Sequence, residues 1–357
     1  MPGFKHFVTA EDDSFHAKPA DVPLWSESVQ FTAYDPRCQV AVYQHWGLIG
    51  GEVWECNCGV FLPNGEILVS RTFAPRIEGE PMYTGQAGVA PVEPLERWRM
   101  TYDGVSRRIL MADLAAAPLA DGQIERVRLD VTGTASSPAY GVGMRTDAAT
   151  MTADDSNVAV SGHGLHIEQS MKVAGTVVIG GETISYDGVG HRDHSCGPRS
   201  NGHMWRESWI NGSFPGGRTF HLLEVFVTGR PTYYMGYVWD GQQLLETSNQ
   251  AGPPQTGPLG EPRGYEATFD CVLGPQVIKG ELLGSFAMTV NSPHGMYPGA
   301  ERRGQLTAEG PTKWTWDGEV GYGWTERNYT RGGWAEMRHA DAHLGGDHRY
   351  PAPGVQL

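Results

Sequence analysis

The stretch Cys58–Val69, CGVFLPNGEILV, decides the fold class of this chain. Two apolar runs flank Pro63-Asn64-Gly65, and Asn-Gly pairs readily adopt the positive φ angles that tight hairpin turns require. A second stretch, Gly236–Glu246 (GYVWDGQQLLE), repeats the pattern around an Asp-Gly pair. Both stretches therefore predict a strand, a tight turn and an antiparallel strand.

Glycine and proline punctuate the whole chain, with 48 glycines and 24 prolines among 357 residues. They are scattered rather than clustered, which favours many short strands joined by tight turns. Helical periodicity is scarce, and further extended segments follow at the spacing typical of antiparallel barrels and sandwiches. These segments are Gln39–Phe61, Arg218–Thr228, Thr232–Trp239, Val277–Val290 and Lys313–Trp324. The sequence thus predicts an all-β fold with little helix.

The length of the chain and the position of its turns predict two β domains. A chain of 357 residues is long enough for two domains, and the polar, turn-rich stretch 147–164 suits a surface connection. We expect an N-terminal domain over 1–164 and a C-terminal domain over 165–340. Residues 250–264 are predicted to form a surface loop that could act as a lid, and residues 341–357 a loosely held tail.

Charge and hydropathy limit the partners of the chain. The formal net charge is −14 and no basic patch is evident, which argues against nucleic acid and against an anionic membrane surface as partners. The sequence has no run of about 18 apolar residues that could span a bilayer. Residues 1–25 lack the apolar core of a signal peptide. We therefore expect a small molecule, rather than a nucleic acid or a membrane, as partner.

The cysteines indicate a reducing compartment. The chain has five cysteines and no Cys-x-x-Cys pair, so we expect neither a disulfide framework nor a structural zinc site. The cytoplasm is the predicted location. Cys56 and Cys58 are two positions apart in a strand-like run, and we expect them to share one face and to pack as small apolar side chains.

The densest polar run of the chain is Gly188–Arg199, GVGHRDHSCGPR. It holds two histidines, two arginines, an acid, a hydroxyl and a thiol, and each of these groups needs a partner when it is buried. On a strand, alternate side chains point to opposite faces. One face would then carry His191, Asp193 and Ser195. The other would carry Arg192, His194 and Cys196.

The spacing within this run argues against several common kinds of site. The residues of Asp193-His194-Ser195 match a hydrolase triad in type, but adjacent strand residues point apart and cannot form its relay. The nucleophile elbow Gly-x-Ser-x-Gly fails because Asp193 occupies the position of its first glycine. The dinucleotide fingerprint lacks its third glycine, and we predict no cofactor. His191 and Asp193 could chelate a metal with His203 or His221, but hydrogen-bonded histidines are commoner, and no metal is predicted.

The pattern Gly188-x-Gly190-x-x-Asp193-His194-Ser195-x-Gly197 resembles the signature Gly-x-Gly-x-x-Asp-His-Asn/Ser-Trp-Gly. This signature belongs to proteins similar to carotenoid 1,2-hydratase (hydroxyneurosporene synthase) and to the AttH-type lipocalin-like proteins. The segments PLERWRMTYDG, GTVVIGGETISYDGVG, SWINGSFPGGRTFH and GYGWTERN look like a bacterial branch of the same group. The resemblance implies two lipocalin-like β-barrel domains. It also implies relatives that hydrate, dehydrate, isomerise or cyclise polyene-like molecules. Where the family has tryptophan, this chain has Cys196.

The resemblance selects Asp193 as the catalytic acid, with His191 beside it. A carboxyl buried in an apolar barrel stays protonated and can protonate an alkene, whereas a nearby arginine would lower its pKa. Further candidates for the acid or base are His194, Glu168 and Glu207. Aromatic faces would stabilise a carbocation. The residues predicted to bind the substrate are Cys196, Arg192, Arg199, Trp205, Trp209, Tyr234, Trp239 and Glu326.

Two functions are compatible with these residues. The first is a hydratase, dehydratase or isomerase that acts without a cofactor on a hydrophobic, terpenoid-like small molecule inside the second barrel. The second is a protein that only binds such a molecule, with the polar run as a structural latch between the barrels. An Asp193 that faces an apolar cavity away from arginine favours the enzyme, and one locked to Arg199 favours the latch. The sequence leaves the oligomeric state open.

Overall fold

The computed structural model describes residues 8–18, 25–49, 51–111, 123–142, 165–198, 204–227, 233–252, 264–290 and 305–330. These residues form 21 β-strands and no α-helix, which confirms the predicted all-β class. Nothing in this part of the chain is a helix of the length and apolarity that crossing a bilayer demands. The strands form two antiparallel sheets, which belong to two separate compact units.

The first sheet closes on itself as a barrel. Its hydrogen-bonded order is β4-β3-β2-β1-β11-β10-β8-β7-β6-β5, and β4 also pairs with β7 and so closes the wall. The short strand β9 pairs with β10. The strands are β1 (Trp25–Asp35), β2 (Val40–Ile49), β3 (Val53–Phe61), β4 (Glu66–Pro75), β5 (Met82–Tyr83), β6 (Ala87–Glu93), β7 (Arg97–Leu110), β8 (Gln123–Ala135), β9 (Tyr140–Val142), β10 (Leu165–Ile179) and β11 (Glu182–Pro198).

The predicted hairpin and the predicted shared face of Cys56 and Cys58 are both confirmed in this barrel. Phe61 of β3 pairs with Ile67 of β4, and Gly65 in the turn has a φ of 82°, a conformation that favours glycine. Cys56 and Cys58 point to the same side of β3, and both join the apolar core of the barrel. Burial raises the pKa of the Cys58 thiol to about 12, so both act as small apolar side chains.

The second sheet has the hydrogen-bonded order β15-β14-β13-β12-β21-β20-β18-β17-β16, with β19 paired to β20. Its core includes Phe220, Trp314 and Trp316. The second predicted hairpin is present, since Trp239 of β14 pairs with Leu244 of β15. The strands are β12 (Met204–Ser213), β13 (Thr219–Val227), β14 (Tyr233–Trp239), β15 (Leu244–Glu246), β16 (Ser248–Ala251), β17 (Gly264–Cys271), β18 (Gly274–Leu282), β19 (Phe286–Val290), β20 (Gln305–Trp316) and β21 (Glu319–Thr330).

The division between the two units differs from the predicted boundary at residue 164. Strand β10 pairs with β8, and β11 pairs with β1, so the strand with the polar run belongs to the first sheet. These two strands fill the wall between β1 and β8, and without them the barrel would stay open. The first described strand of the second unit is β12. Residues 253–263 of the predicted lid and the predicted tail 341–357 lie outside the described residues.

Candidate acid–base site on the first barrel

Strand β11 presents alternate side chains to opposite faces, as the sequence predicts. Arg192 lies opposite Phe31 of β1, and Phe31 belongs to the barrel core. We call the face toward the core the inner face. It carries Arg192, His194 and Cys196. The outer face carries His191, Asp193 and Ser195.

Five polar side chains of β10 and β11 form a connected cluster on the outer face. We call it the outer network: His166, Glu168, Ser170, His191 and Asp193. Glu168 is its centre, with Oε1 2.9 Å from His166 Nε2 and Oε2 2.9 Å from His191 Nε2. His191 Nδ1 lies 3.3 Å from the Ser170 hydroxyl. At the other end, His166 Nε2 lies 3.5 Å from Asp193 Oδ2. Ser170 and Asp193 are thus joined through two imidazoles and one carboxylate.

The outer network holds a cationic imidazole between two carboxylates. Burial opposes the charge on His166, but Glu168 and Asp193 outweigh it and raise the pKa of His166 to about 10. Asp193 Oδ1 also accepts a 2.8 Å hydrogen bond from the backbone N–H of Gln30. The side chain of Asp193 is 17% exposed, against 7% for His166 and 0% for Glu168. Asp193 is therefore the acid that can meet a ligand.

A second cluster occupies the inner face. We call it the inner network: Asp13, His16, Glu27, Arg192 and His194. Arg192 binds Asp13 through two bonds of 2.8 and 3.0 Å, and neither side chain is exposed. The guanidinium also donates to Gln169 Oε1 and lies 4.7 Å from the Trp98 ring centre. Asp13 accepts further bonds from Trp98 Nε1 and from the Leu95 backbone. The inner network thus fixes the N-terminal segment to the barrel.

Glu27 joins two histidines of the inner network. Its Oε1 lies 3.1 Å from His16 Nδ1 and 3.1 Å from His194 Nε2. Burial disfavours the charge on Glu27, but the two histidines hold its pKa at about 2. His194 Nδ1 lies 3.7 Å from Asp13 Oδ1. Burial lowers the pKa of His194, and Asp13 and Glu27 outweigh that effect and raise it above its ordinary value.

This geometry changes the roles predicted for three residues of the run. Arg192 was expected to bind substrate, but its donors are directed at Asp13 and Gln169 on the inner face. His194 lies on the same face, away from Asp193. Cys196 is buried there too, opposite Glu27 of β1. The space altered by cysteine in place of the family's tryptophan therefore lies on the inner face and not beside Asp193.

Five of the predicted residues with described side chains lie on the second sheet. Glu207 and Glu326 both accept hydrogen bonds from Asn328 Nδ2, at 3.1 Å in the case of Glu207. Trp209 is buried and packs edge-on against His221, with ring centres 5.7 Å apart. These three side chains therefore have partners within their own sheet. The other two are Tyr234 and Trp239.

The remaining residues predicted to bind substrate are aromatic residues and one arginine, and only some of them have described side chains. Tyr234 is 39% exposed, and it lies five positions before Trp239 on β14, so the two side chains face opposite ways. The side chain of Trp205 and the whole of Arg199 lie outside the described residues, as does His203. The cation described beside Asp193 is His166, not an arginine.

The first barrel also has an apolar cavity away from the polar run. It has a volume of about 490 Å³ and opens between β3 and the β5–β7 strands. Its walls include Trp54, Met82, Tyr83, Val89 and Arg99. No residue of the outer network lines it. The cavity and the acid–base cluster are therefore separate features of the same barrel.

Sequence reasoning missed five members of the two networks: Asp13, His16, Glu27, His166 and Ser170. His166 and Ser170 each lie two positions from Glu168 and share its face of β10, which begins at Leu165. The other three are distant in sequence from the polar run. Only the pairing of β1 with β11 brings Glu27 next to His194, and no local pattern encodes that register.

Comparison with known proteins gives a family and a fold. Residues 9–331 match a family described as "Domain of unknown function (DUF7064)". No curated protein matches the chain. The crystal structure of an AttH-like protein from Nitrosomonas europaea is 12% identical with a TM-score of 0.57, over 92% of this chain and 97% of that protein.

Two further solved structures match the chain at lower similarity. CghA is 10% identical with a TM-score of 0.51, over 86% of this chain and 88% of that one. Kievitone hydratase from Nectria haematococca is 11% identical with a TM-score of 0.47, over 89% and 96%. At these identities the likeness to the AttH-like protein and to CghA establishes the fold alone, which is the predicted lipocalin-like one.

Proposed function

The chain belongs to the DUF7064 family, and we propose that the outer network of its first barrel transfers protons to and from a small apolar molecule. The reaction would be the addition or removal of water, or the migration of a double bond. The observation that carries this proposal is the position of His166, an imidazolium held between Glu168 and the partly exposed Asp193. Buried proton-sharing groups with one accessible member are typical of acid–base catalysis.

The charge state of the site assigns the roles of its members. Asp193 lies 3.5 Å from the His166 imidazolium and accepts a hydrogen bond from the Gln30 N–H, and we assign it the role of the base. His166 stores the proton, and Glu168 connects it to His191. The sequence predicts Asp193 in an apolar environment, whereas its described neighbour is the imidazolium of His166.

The same charge state favours one class of substrate. A proton bound with a pKa of about 10 is held too tightly to protonate an isolated alkene efficiently. A carboxylate beside an imidazolium suits a carbon that is already activated, such as one next to a carbonyl group. In dehydration, Asp193 would take the proton from that carbon, the neighbouring C–O bond would break, and the network would protonate the leaving hydroxide to water. Hydration is the same sequence in reverse.

The molecule itself is expected to be largely apolar and terpenoid-like in size. CghA has been crystallised with Sch210972, so the shared fold accommodates a small molecule. The cavity of about 490 Å³ on this barrel falls in the range of ordinary ligand sites. Because that cavity is separate from the outer network, it favours a second candidate function, that of a carrier for a small apolar molecule.

The test uses β-hydroxy ketones with apolar side chains, together with any small molecule extracted from the purified protein. Each is incubated in deuterated water, and mass spectrometry and NMR measure deuterium uptake and loss of water. We expect uptake with wild type and a rate about 10²- to 10⁴-fold lower for Asp193→Asn. The matched control is Asp130→Asn, which removes a carboxylate from an exposed pair on the same barrel.

Three results would decide between the candidates. Equal rates for wild type and Asp193→Asn would remove the outer network from the chemistry. No uptake with any molecule would overturn the enzyme proposal. In that case, loss of the extracted molecule from an Ala90→Trp variant, which narrows the cavity, would support the carrier.

A further inference from the structure

We propose that His16, Glu27 and His194 of the first barrel bind a divalent transition-metal ion of the zinc class. The donor atoms of the three side chains all lie within 4.8 Å of one another. Two imidazoles and one carboxylate are a common donor set for zinc and for related ions such as cobalt and iron(II), and they leave a coordination position open. This site is independent of the outer network and lies on the opposite face of β11.

The carboxylate of Glu27 gives a second, independent reason. Its side chain is fully buried, and Oε1 lies near the His16 backbone N–H, His16 Nδ1 and His194 Nε2. Oε2 is also buried, and it has no hydrogen-bond partner in the described part of the chain. A buried carboxylate oxygen without a partner is costly. A cation bound by the Glu27 carboxylate would reduce that cost.

The surroundings are those of a supported metal ligand. Asp13 Oδ1 lies 3.7 Å from Nδ1 of His194, the nitrogen that points away from Glu27. Metal-binding histidines commonly direct their second ring nitrogen at a carboxylate, which orients the ring and raises its basicity. Asp13 is in turn held by Arg192 and by Trp98 Nε1. A fixed carboxylate therefore lies beside the second ring nitrogen of His194.

His16 supplies the route of entry. Its side chain is 26% exposed, whereas those of Glu27 and His194 are fully buried. Its backbone is fixed at both polar atoms, because the N–H donates to Glu27 and the carbonyl accepts from Arg76. An ion can thus reach the buried donors past an imidazole that is held in place but open to solvent.

The test measures metal binding directly. The full chain, without affinity-tag histidines, is stripped with EDTA and titrated with zinc chloride in competition with a chromophoric chelator. Cobalt(II) serves as a second reagent, since its visible absorption reports tetrahedral coordination. We expect one ion per chain. Loss of a residue that supports a metal ligand weakens metal binding roughly 10- to 100-fold. His16→Ala removes a ligand itself, so we expect it to weaken binding by more than this.

One control variant distinguishes this site from the outer network, and a folding measurement distinguishes loss of the site from misfolding. His166→Gln removes a histidine from the outer network and should bind the ion as wild type does. His16→Ala changes a partly exposed side chain and is expected to fold, which circular dichroism checks. This variant therefore tests the site even if a Glu27→Gln variant fails to fold. Stoichiometric zinc binding that depends on His16 would support the site. No binding by wild type, equal binding by His16→Ala, or loss of binding only in His166→Gln would overturn it.

Discussion

The inner and outer networks use the same kinds of side chain on opposite faces of one strand, yet their charges are arranged differently. On the inner face, the arginine Arg192 neutralises Asp13 and both are fully buried. On the outer face, Asp193 faces the imidazolium of His166 and keeps part of its surface accessible. A guanidinium does not release its proton under ordinary conditions, whereas an imidazole can. The Arg192–Asp13 pair of the inner network therefore suits structural support, and the outer network suits proton transfer.

The largest effect on stability is expected from a substitution that breaks the ion pair of the inner network. Arg192→Leu would leave Asp13 buried without its counter-charge, so we expect the free energy of unfolding to fall by about 3–5 kcal/mol. Urea denaturation followed by tryptophan fluorescence measures this loss. A second variant, Arg192→Leu combined with Asp13→Asn, removes the stranded charge and should be less destabilised than Arg192→Leu alone.

The outcome bears directly on the comparison of the two faces. Asp193→Asn on the outer face should lose less than half as much stability as Arg192→Leu, because Asp193 is partly exposed and its partner His166 keeps Glu168. If Asp193→Asn proved the more damaging of the two, the outer network would be the structural one. Our assignment of roles would then be reversed.

The alternation of these residues was predictable from sequence, and their partners were not. A period of two places Arg192 and Asp193 on opposite faces in any strand, and the structure confirms it. The sequence predicts a domain boundary at 164, whereas in the structure β10 and β11 complete the first barrel. Strand patterns indicate which face of a strand is apolar, but they do not indicate which strands pair. The partner of Asp193 and the role of Arg192 followed from that pairing.

An effect of intermediate size on stability is expected from pH, because pH titrates His166 of the outer network. The pKa of His166 is about 10 in the folded protein, against about 6.5 in an unfolded chain. Since the folded value is the higher one, His166 contributes stability that is fully present below about pH 6.5 and is lost as the pH rises through 10. We expect the free energy of unfolding to fall progressively between about pH 6.5 and 10, measured by urea denaturation at intervals across that range.

The His166→Gln variant is the control for this pH effect. It lacks the titrating group beside Glu168 and Asp193, so the difference in stability between wild type and variant should shrink as the pH rises. A difference that stays constant from pH 6.5 to 10 would show that His166 carries no charge in the folded protein. The proton store of the proposed site would then be lost.

The smallest expected effect tests whether burial or geometry makes the inner ion pair important. Arg99 and Asp130, on the first barrel's surface, form a two-bond pair of 2.8 and 2.7 Å, much like that of Arg192 and Asp13. Their side chains are 53% and 44% exposed, so water screens the charges and solvates a partner left alone. We expect Arg99→Gln to cost about 0.2–1 kcal/mol by urea denaturation. A cost near that of Arg192→Leu would mean that two-bond geometry alone sets the strength of both pairs, and the contrast between a buried inner network and an accessible outer one would then explain little.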